Sequence, residues 1–180
     1  MTVLSTTALF PATPVNDPLR SELFRLAWRG FGASVALLAT EEGGARHAML
    51  ATAVTSVSME PPLLLVCVTR SAGAHDAFLR RGAFTLGILG AKSAHIARTS
   101  DHARFAQGDW RTLVAADGAL HGLPWLAEAQ ATLVCRLEER HVHGTHSIFV
   151  ARVEDATPAD LSDPLLYCEG RFGRFEAFDA

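Results

Sequence analysis

Features that would direct a protein to a membrane or to nucleic acid are missing from this sequence. No apolar run approaches the roughly 20 residues that a membrane-spanning helix needs. The amino-terminal stretch has neither a basic segment nor a sustained apolar one, so we expect no signal peptide. Acidic residues number 19 and Lys plus Arg 16, a net charge of −3 without a basic stripe. We therefore expect neither a membrane nor a nucleic acid as a partner.

Cysteine is scarce as well. Cys67, Cys135 and Cys168 are the three cysteines, widely spaced and each in an apolar, strand-like context. An odd number at wide spacing fits neither a disulfide framework nor a zinc site. We expect reduced, buried thiols in a cytoplasmic protein.

The common nucleotide and hydrolase motifs are also absent. The sequence has no glycine-rich dinucleotide fingerprint, no P-loop and no nucleophile elbow. A nucleotide that binds here would therefore not use a Rossmann-type site. No nucleophile or acid–base pair stands out either.

What is present is the pattern of one mainly β domain with helices. The 180 residues are 49% hydrophobic and 19% charged, which is typical of a globular domain. We expect a flexible tail over residues 1–17 and a single domain over residues 18–180. Asp17 and Pro18 predict the start of an amphipathic helix that ends near Gly30 or Gly32.

Seven short segments then predict strands. They lie at residues 34–40, 47–58, 63–69, 84–89, 131–139, 147–154 and 164–168. Short helices are expected at residues 76–81 and 92–99, and a hairpin loop around Gly144. Because no strand–helix unit repeats, the pattern favours a closed antiparallel barrel with a few helices.

The stretch from Arg46 to Ser71 is the most informative. Its first half is rich in alanine, serine and threonine, and its second half is an apolar strand after the Pro61–Pro62 corner. Small residues beside a strand leave room for a flat ligand against the backbone. The same residues also fit a strand packed tightly against a helix.

Three histidines, His141, His143 and His146, form a second conspicuous pattern. Two histidines at alternate strand positions share a face and favour a metal site. Metallo-hydrolases with a similar cluster carry Asp where this chain has Thr145, and they need downstream ligands that are absent here. There are two other interpretations: a polar hairpin, and a single working histidine, His146. We expect no metal.

Two further groups have both a ligand interpretation and a structural one. Arg70, with Ser71 and Gly73, could hold a phosphate or form an ordinary turn. Trp110, with Phe105, could stack on an aromatic ligand or close the edge of a core.

Taken in order, several motifs resemble one family. They are Phe24-Arg25, Ala51-Thr52-Ala53-Val54, Ser56-Val57-Ser58, Pro61-Pro62, Phe105-Ala106 with Trp110, Cys135, Gly144-Thr145-His146 and Pro164 to Tyr167. The sequence over about residues 22–175 is similar to the small flavin:NAD(P)H reductases of two-component aromatic monooxygenases. These reductases are a branch of the FMN-binding split-barrel family.

The resemblance implies a fold, an activity and a site. The fold would be a homodimeric, antiparallel Greek-key split barrel. Hydride would pass from NAD(P)H to FMN or FAD, and reduced flavin would leave for an oxygenase partner. His146 would lie beside the nicotinamide. The implied flavin-binding residues are His47, Ala48, Met49, Leu50, Ala51, Thr52, Ala53, Ser56, Cys67, Val68, Thr69, Arg70, Ser71, Gly73, Gly87 and Trp110.

The chain departs from the family pattern at several positions of that site. Leu50 stands in place of Thr, Ala72 and Gly73 in place of a phosphate-binding Ser, Ala74 in place of Thr and Gly87 in place of Asn. Each change removes a side-chain hydrogen bond worth about 0.5–1.5 kcal/mol. Weaker flavin binding suits a reductase that treats flavin as a diffusible substrate. It also suits a non-enzymatic flavin-binding relative.

Overall fold

The computed structural model describes residues 17–99, 101–157 and 163–178. Apart from Asp17, the predicted tail over residues 1–17 lies outside the described residues. The α-helices among them are α1 (Pro18–Arg29), α2 (His75–Arg81) and α3 (Ala94–Arg98), with 3₁₀ turns at Ala91–Ser93 and Asp101–Ala106. The described strands are β1 (Ala33–Ser34), β2 (Ala36–Glu42), β3 (Ala45–Ala51), β4 (Val54–Met59), β5 (Pro62–Thr69), β6 (Ala83–Ile88), β7 (Trp110–Thr112), β8 (Pro124–Leu126), β9 (Ala131–His143), β10 (His146–Ala156), β11 (Leu165–Cys168) and β12 (Arg171–Arg174).

Helix α1 begins where the sequence predicts. The Asp17 side chain accepts a hydrogen bond from the Leu19 backbone N–H at 3.0 Å, and Pro18 occupies the first turn. The helix buries none of its side chains, however, and Trp28 remains 57% exposed. Its apolar residues therefore face outward from this chain. None of the described helices is long and apolar enough to cross a membrane.

Seven strands form one antiparallel sheet in the order β3-β2-β6-β9-β10-β5-β4. The prediction of a single strand over residues 47–58 is wrong, because the chain breaks at Thr52 and Ala53. The first half, β3, pairs with β2, and the second half, β4, pairs with β5 at the opposite edge. Consecutive strands therefore form the two edges of the sheet.

This connection forces the sheet to curl. In a flat sheet, six strand spacings would separate the edges by about 29 Å. The two-residue link allows the Cα atoms of Ala51 and Val54 to be at most about 11 Å apart. The edges must come together. At the link, the Cys67 N–H donates to the Ala53 carbonyl at 3.0 Å, which extends the β4–β5 pairing by one residue.

The core fills the inside of the curled sheet. Strand β5 shows the alternation clearly, since Leu64, Val66 and Val68 are buried while the residues between them are half-buried. The predicted strand is confirmed, but one face of it is buried and the other faces outward. The inward residues pack with Phe78 of α2 and Phe149 of β10.

The remaining strands are short, and the sequence did not predict three of them. Strands β7 and β8 form a two-stranded sheet, and β12 pairs with β11 beside β1. Each of these three has only three or four residues, too few to show a hydrophobic period. The β9–β10 hairpin is also tighter than predicted, since Gly144 (φ +56°) and Thr145 alone form its turn.

One buried hydroxyl joins the small sheet to the large one. The Thr85 Oγ1 atom, on β6, donates to the Pro124 carbonyl of β8 at 2.6 Å, and both residues are buried. We expect Thr85→Val to lower the free energy of unfolding by about 1–3 kcal/mol, because the buried carbonyl loses its donor. Urea unfolding followed by circular dichroism measures this loss.

The matched control is Thr112→Val, which removes an exposed hydroxyl from β7. It should change the unfolding free energy by less than about 0.5 kcal/mol. An equal loss in both variants would show that the Thr85 hydrogen bond contributes nothing specific.

Candidate functional site

A cavity of about 800 Å³ lies where the two sheet edges meet. One wall is the junction itself, Thr52 to Thr55, together with Leu65 and Cys67 of β5. The facing wall is largely aromatic and comes from α1 and β11. Its aromatic members are Phe24, Trp28, Phe31 and Tyr167. A cavity of this size holds a cofactor-sized molecule.

The first wall follows from the local sequence. Alternation along β5 turns Leu65 and Cys67 away from the core and towards the cavity. Thr52 and Ala53 stand at the break between β3 and β4, where both are exposed. Their small side chains leave the adjoining backbone accessible. This is compatible with the interpretation that a flat ligand lies against this stretch.

The sequence interpretation missed the aromatic wall as part of a site. Phe24 and Trp28 are four residues apart on one side of α1, and Phe31 follows three residues later, just beyond the end of the helix. The ring centroids of Trp28 and Phe31 are 4.7 Å apart and nearly parallel. An aromatic series at this spacing was the available signal, but the sequence predicted only an amphipathic helix here.

The charged residues that line the cavity are basic. Arg25 and Arg29 come from α1, and no Asp or Glu is among the described residues of the lining. Arg25 is paired with Glu22 on the next turn at 2.5 Å, and that pair is exposed. The guanidinium of Arg29 donates to the Glu169 carbonyl at 3.4 Å. The cavity is therefore suited to a neutral or anionic ligand.

His146 lies on the same outward surface as Cys67. It is paired with Thr69 across β10 and β5, and the next outward position on β5 is Cys67. The Arg70 N–H donates to the Thr145 carbonyl at 2.9 Å, which ties the hairpin turn to the end of β5. The His146 Nδ1 atom lies 2.9 Å from Thr145 Oγ1. The predicted working histidine and a predicted flavin-binding residue, Cys67, therefore lie on the same face of neighbouring strands.

The loop after β5 presents the predicted anion-binding groups. The hydroxyls of Thr69 and Ser71 are 3.2 Å apart, and Arg70, Ser71 and Gly73 are exposed. Apart from the two adjacent residues, no described residue has an atom within 4 Å of the position a Cβ atom would take at Gly73. The loop is thus open to solvent, with a guanidinium and a hydroxyl available.

Other predicted site residues have buried side chains. Ala48, Met49, Ala51, Val68 and Gly87 are buried, and none of them lines the 800 Å³ cavity. A Cβ atom at Gly87 would lie 3.2 Å from the Ala129 Cβ atom, so packing explains this glycine. His47 is half-buried on β3, opposite Thr40.

Trp110 is placed in a core and away from the cavity. Its indole N–H donates to the carbonyls of Arg104 and Gln107 at 3.1 and 2.8 Å. Its ring packs on Phe105 with centroids 4.4 Å apart, in a cluster that also includes Leu50. Of its two interpretations, the structure favours the edge of a core.

Ser56 faces a second cavity of about 640 Å³. This cavity shares Phe31, Ala33, Thr52, Val54 and Thr55 with the first and continues towards the apolar interior of the sheet. Ser56 is exposed at its mouth. It is thus near the junction but outside the first cavity.

The histidine cluster is a polar hairpin. His141 Nε2 lies 2.8 Å from the Glu139 carboxylate, and His143 is exposed opposite His146. Within the described part of the chain, no group of three or more His, Cys, Asp or Glu is arranged to hold a metal ion.

All three cysteines are free thiols. Burial raises the pKa of Cys135 to about 12, so this thiol stays protonated and unreactive at neutral pH. Cys67 and Cys168 are half-buried, so the prediction of three buried thiols is correct for Cys135 alone. Of the three, Cys67 lines the 800 Å³ cavity.

Comparisons with known sequences point to one family. The model of the flavin reductase like domain matches residues 28–176. An FMN reductase (NADH) RutF of Methylorubrum populi is 36% identical over 160 residues, covering 86% of this chain and 76% of the relative. The reductase component of a 4-nitrophenol 4-monooxygenase/4-nitrocatechol 2-monooxygenase from Rhodococcus opacus is 38% identical over 164 residues, covering 89% and 84%.

A solved structure supports the same assignment. The NADH:FAD oxidoreductase SgcE6 of Streptomyces globisporus superposes with a TM-score of 0.79 at 30% identity, covering 96% of both chains. Fold, sequence and the extent of the match agree, and this chain belongs to the flavin reductase like domain family.

Proposed function

We propose that this protein catalyses NADH-dependent reduction of free flavin, FMN or FAD, and supplies the reduced flavin to a partner oxygenase. The observation that carries the proposal is the cavity wall of Thr52, Ala53 and Cys67, which faces an aromatic helix and has His146 on the same surface. The similarity to proteins named for NADH-dependent reduction of FMN and of FAD supports it.

The cavity fits the flat part of a flavin. An isoalloxazine ring has two apolar faces and a polar edge. The faces suit the space between Ala53 and Cys67 on one side and the α1 aromatics on the other. The Thr52 hydroxyl and the exposed backbone of residues 52–53 supply donors and acceptors for the edge.

The loop after β5 would hold the flavin phosphate. Arg70 supplies a positive charge, and Ser71 and the open backbone at Gly73 supply hydrogen-bond donors. Side-chain donors are fewer here than in the family pattern, because Ala72 and Gly73 carry no hydroxyl. We therefore assign the flavin as a substrate that binds, is reduced and leaves.

His146 would position the nicotinamide. It stands on the surface of β10 next to Cys67, at the edge of the proposed ring site. Bound flavin supplies the redox chemistry by accepting the hydride from NADH. The protein contributes by holding donor and acceptor in contact and by limiting water between them.

We further propose that the chain forms a homodimer and that its curled sheet is the split barrel of the family. Exposed apolar residues on α1 and just beyond it support this assembly: Leu19, Leu23, Phe24, Leu26, Trp28 and Phe31. A helix with this many outward apolar residues is stabilised by a partner surface. A second copy packed on α1 would also cover the open side of the cavity.

The partner and compartment follow from the same chemistry. Reduced flavin reacts readily with oxygen, so an oxygenase that accepts it is the natural consumer. One relative is named as the reductase component of such an enzyme. We propose a cytoplasmic location, which the three free thiols and the proposed use of NADH support.

The first prediction from this proposal concerns turnover. Purified protein mixed with NADH and FMN or FAD should oxidise NADH, measured as loss of absorbance at 340 nm. Ala53→Phe should lower the rate at least tenfold at subsaturating flavin, because the new ring occupies the cavity. Ala45→Phe, at an exposed alanine at the other end of β3, should keep the wild-type rate.

Flavin binding without NADH oxidation by the wild-type protein would contradict this function and favour a flavin-binding protein without reductase activity. Equal rates in the two alanine variants would place the flavin elsewhere.

The second prediction concerns His146. His146→Ala should lower kcat/KM for NADH about tenfold because the nicotinamide loses its positioning contact. The Kd for FMN, measured by fluorescence quenching, should stay within about twofold. His143→Ala removes the neighbouring exposed histidine across the hairpin and serves as the control. Equal losses of flavin affinity and turnover would contradict the placement of His146 at the nicotinamide.

The third prediction concerns assembly. Light scattering after gel filtration should show a dimer for the wild type and a monomer for Leu23→Glu, since a charge in the apolar surface of α1 opposes association. Ser21→Glu, a change to an exposed polar residue of the same helix, should remain dimeric. A wild-type protein that is monomeric at about 50 μM would exclude the homodimer.

A further inference from the structure

A buried hydrogen-bond relay joins helix α2 to the start of β10. His75 is the first residue of α2 and follows the loop proposed to hold the phosphate. Its Nε2 atom lies 2.9 Å from the hydroxyl of Ser147, the residue directly after His146. His75 is 3% exposed and Ser147 is fully buried. The relay is a polar connection inside an apolar core. The proposed function assigns no role to either residue.

The proton positions in the relay follow from its partners. His75 Nδ1 lies 2.7 Å from the Asp76 carboxylate, which only accepts, so Nδ1 carries the proton. That hydrogen bond lowers the pKa of Asp76 and keeps it ionised. In the neutral ring, Nε2 is then an acceptor, and the Ser147 hydroxyl donates to it. Arg140 Nε in turn donates to Ser147 Oγ at 3.2 Å.

The relay has the residue types of a hydrolase triad but cannot act as one. Ser147 has no exposed surface, and its side chain points to the inside of the curled sheet beside His75. The His75 ring packs on Phe149, with centroids 5.6 Å apart. A substrate has no route to this hydroxyl, so the relay holds structure in place.

The relay fixes the backbone around His146. The hairpin turn is tied to the β5 loop at Thr145, through the Arg70 N–H. Ser147 is tied to α2 through His75. These two contacts lie on either side of His146 and connect it to the beginning and the end of the same loop. The His146 side chain itself bonds the adjacent Thr145 hydroxyl, so its location depends on this backbone.

We propose that His75 is a positioning residue for the reductase reaction, which it serves by holding Ser147 and thereby the backbone of His146 at the nicotinamide side of the site. The inference rests on the proposed function. It adds that the phosphate loop and the nicotinamide side are coupled through the interior of the sheet, by the His75–Ser147 contact.

Two conservative variants separate the two contacts of the ring. In His75→Gln, the side-chain oxygen reaches the position of Nε2 and can accept from Ser147, but the contact with Asp76 is lost. In His75→Asn, the side-chain amide takes the position of Nδ1 and keeps the Asp76 contact, but the contact with Ser147 is lost. The pair therefore tests one hydrogen bond at nearly constant size and polarity.

We expect His75→Asn to lower kcat/KM for NADH about tenfold while the Kd for FMN stays within about twofold. His75→Gln should retain activity within about twofold of wild type. A tenfold loss in both variants, or in neither, would overturn the proposal. A wild-type protein that does not oxidise NADH would instead refute the proposed function, so the two failures are distinct.

If His75→Asn does not fold, variants of Ser147 test the same hydrogen bond. Ser147→Ala should reproduce the tenfold loss, and Ser147→Thr, which keeps a hydroxyl, should be closer to wild type. Wild-type behaviour of Ser147→Ala would contradict the proposal.

Ring-nitrogen NMR supplies a readout that does not depend on activity. In the wild type, the His75 ring should carry its proton on Nδ1, with Nε2 accepting from the Ser147 hydroxyl. A proton on Nε2 would overturn the relay and with it the inference.

Discussion

The fold depends on a single short connection. Thr52 and Ala53 join strands that form opposite edges of a seven-stranded sheet, so the sheet has to curl until those edges meet. The Cys67 N–H donates to the Ala53 carbonyl and so extends the β4–β5 pairing into this link. Thr52 and Ala53 have small side chains and are both exposed, so the backbone of the link is accessible. The constraint that shapes the sheet therefore also creates one wall of the candidate site.

The opposite wall of the candidate site consists of apolar surface that a single chain leaves exposed. Helix α1 has a capped start and a regular length, yet its aromatic residues are exposed. Burying one such ring contributes roughly 1.5–3 kcal/mol of favourable free energy. A ligand or a second copy that covered these rings would therefore bind more tightly. The proposed dimer and the proposed flavin both cover this surface.

The interior of the sheet contributes to the site as well as to stability. Apolar residues of β5 and β10 fill most of it, but the His75–Ser147 contact is polar and lies beside Phe149. A satisfied hydrogen bond in such surroundings is directional, whereas apolar packing tolerates small shifts. This is a physical reason for a polar contact at the point where the start of β10 must be fixed. The fully buried Cys135, by contrast, serves packing alone.

The sequence by itself determined the start of α1, the strands with clear hydrophobic patterns, the glycine turns and the family. These depend on interactions between residues close in the chain, such as the Asp17 cap and the alternation along β5. It also named Thr52, Ala53 and Cys67 among the flavin-binding residues that the resemblance implies. Tertiary structure alone decided that residues 47–58 divide between two edges and that the aromatic residues of α1 face a cavity. It also decided that Trp110 belongs to a core and that His75 reaches Ser147. Each of these depends on which distant strands pair and on how far the sheet curls, and a local pattern of residues contains no information about either.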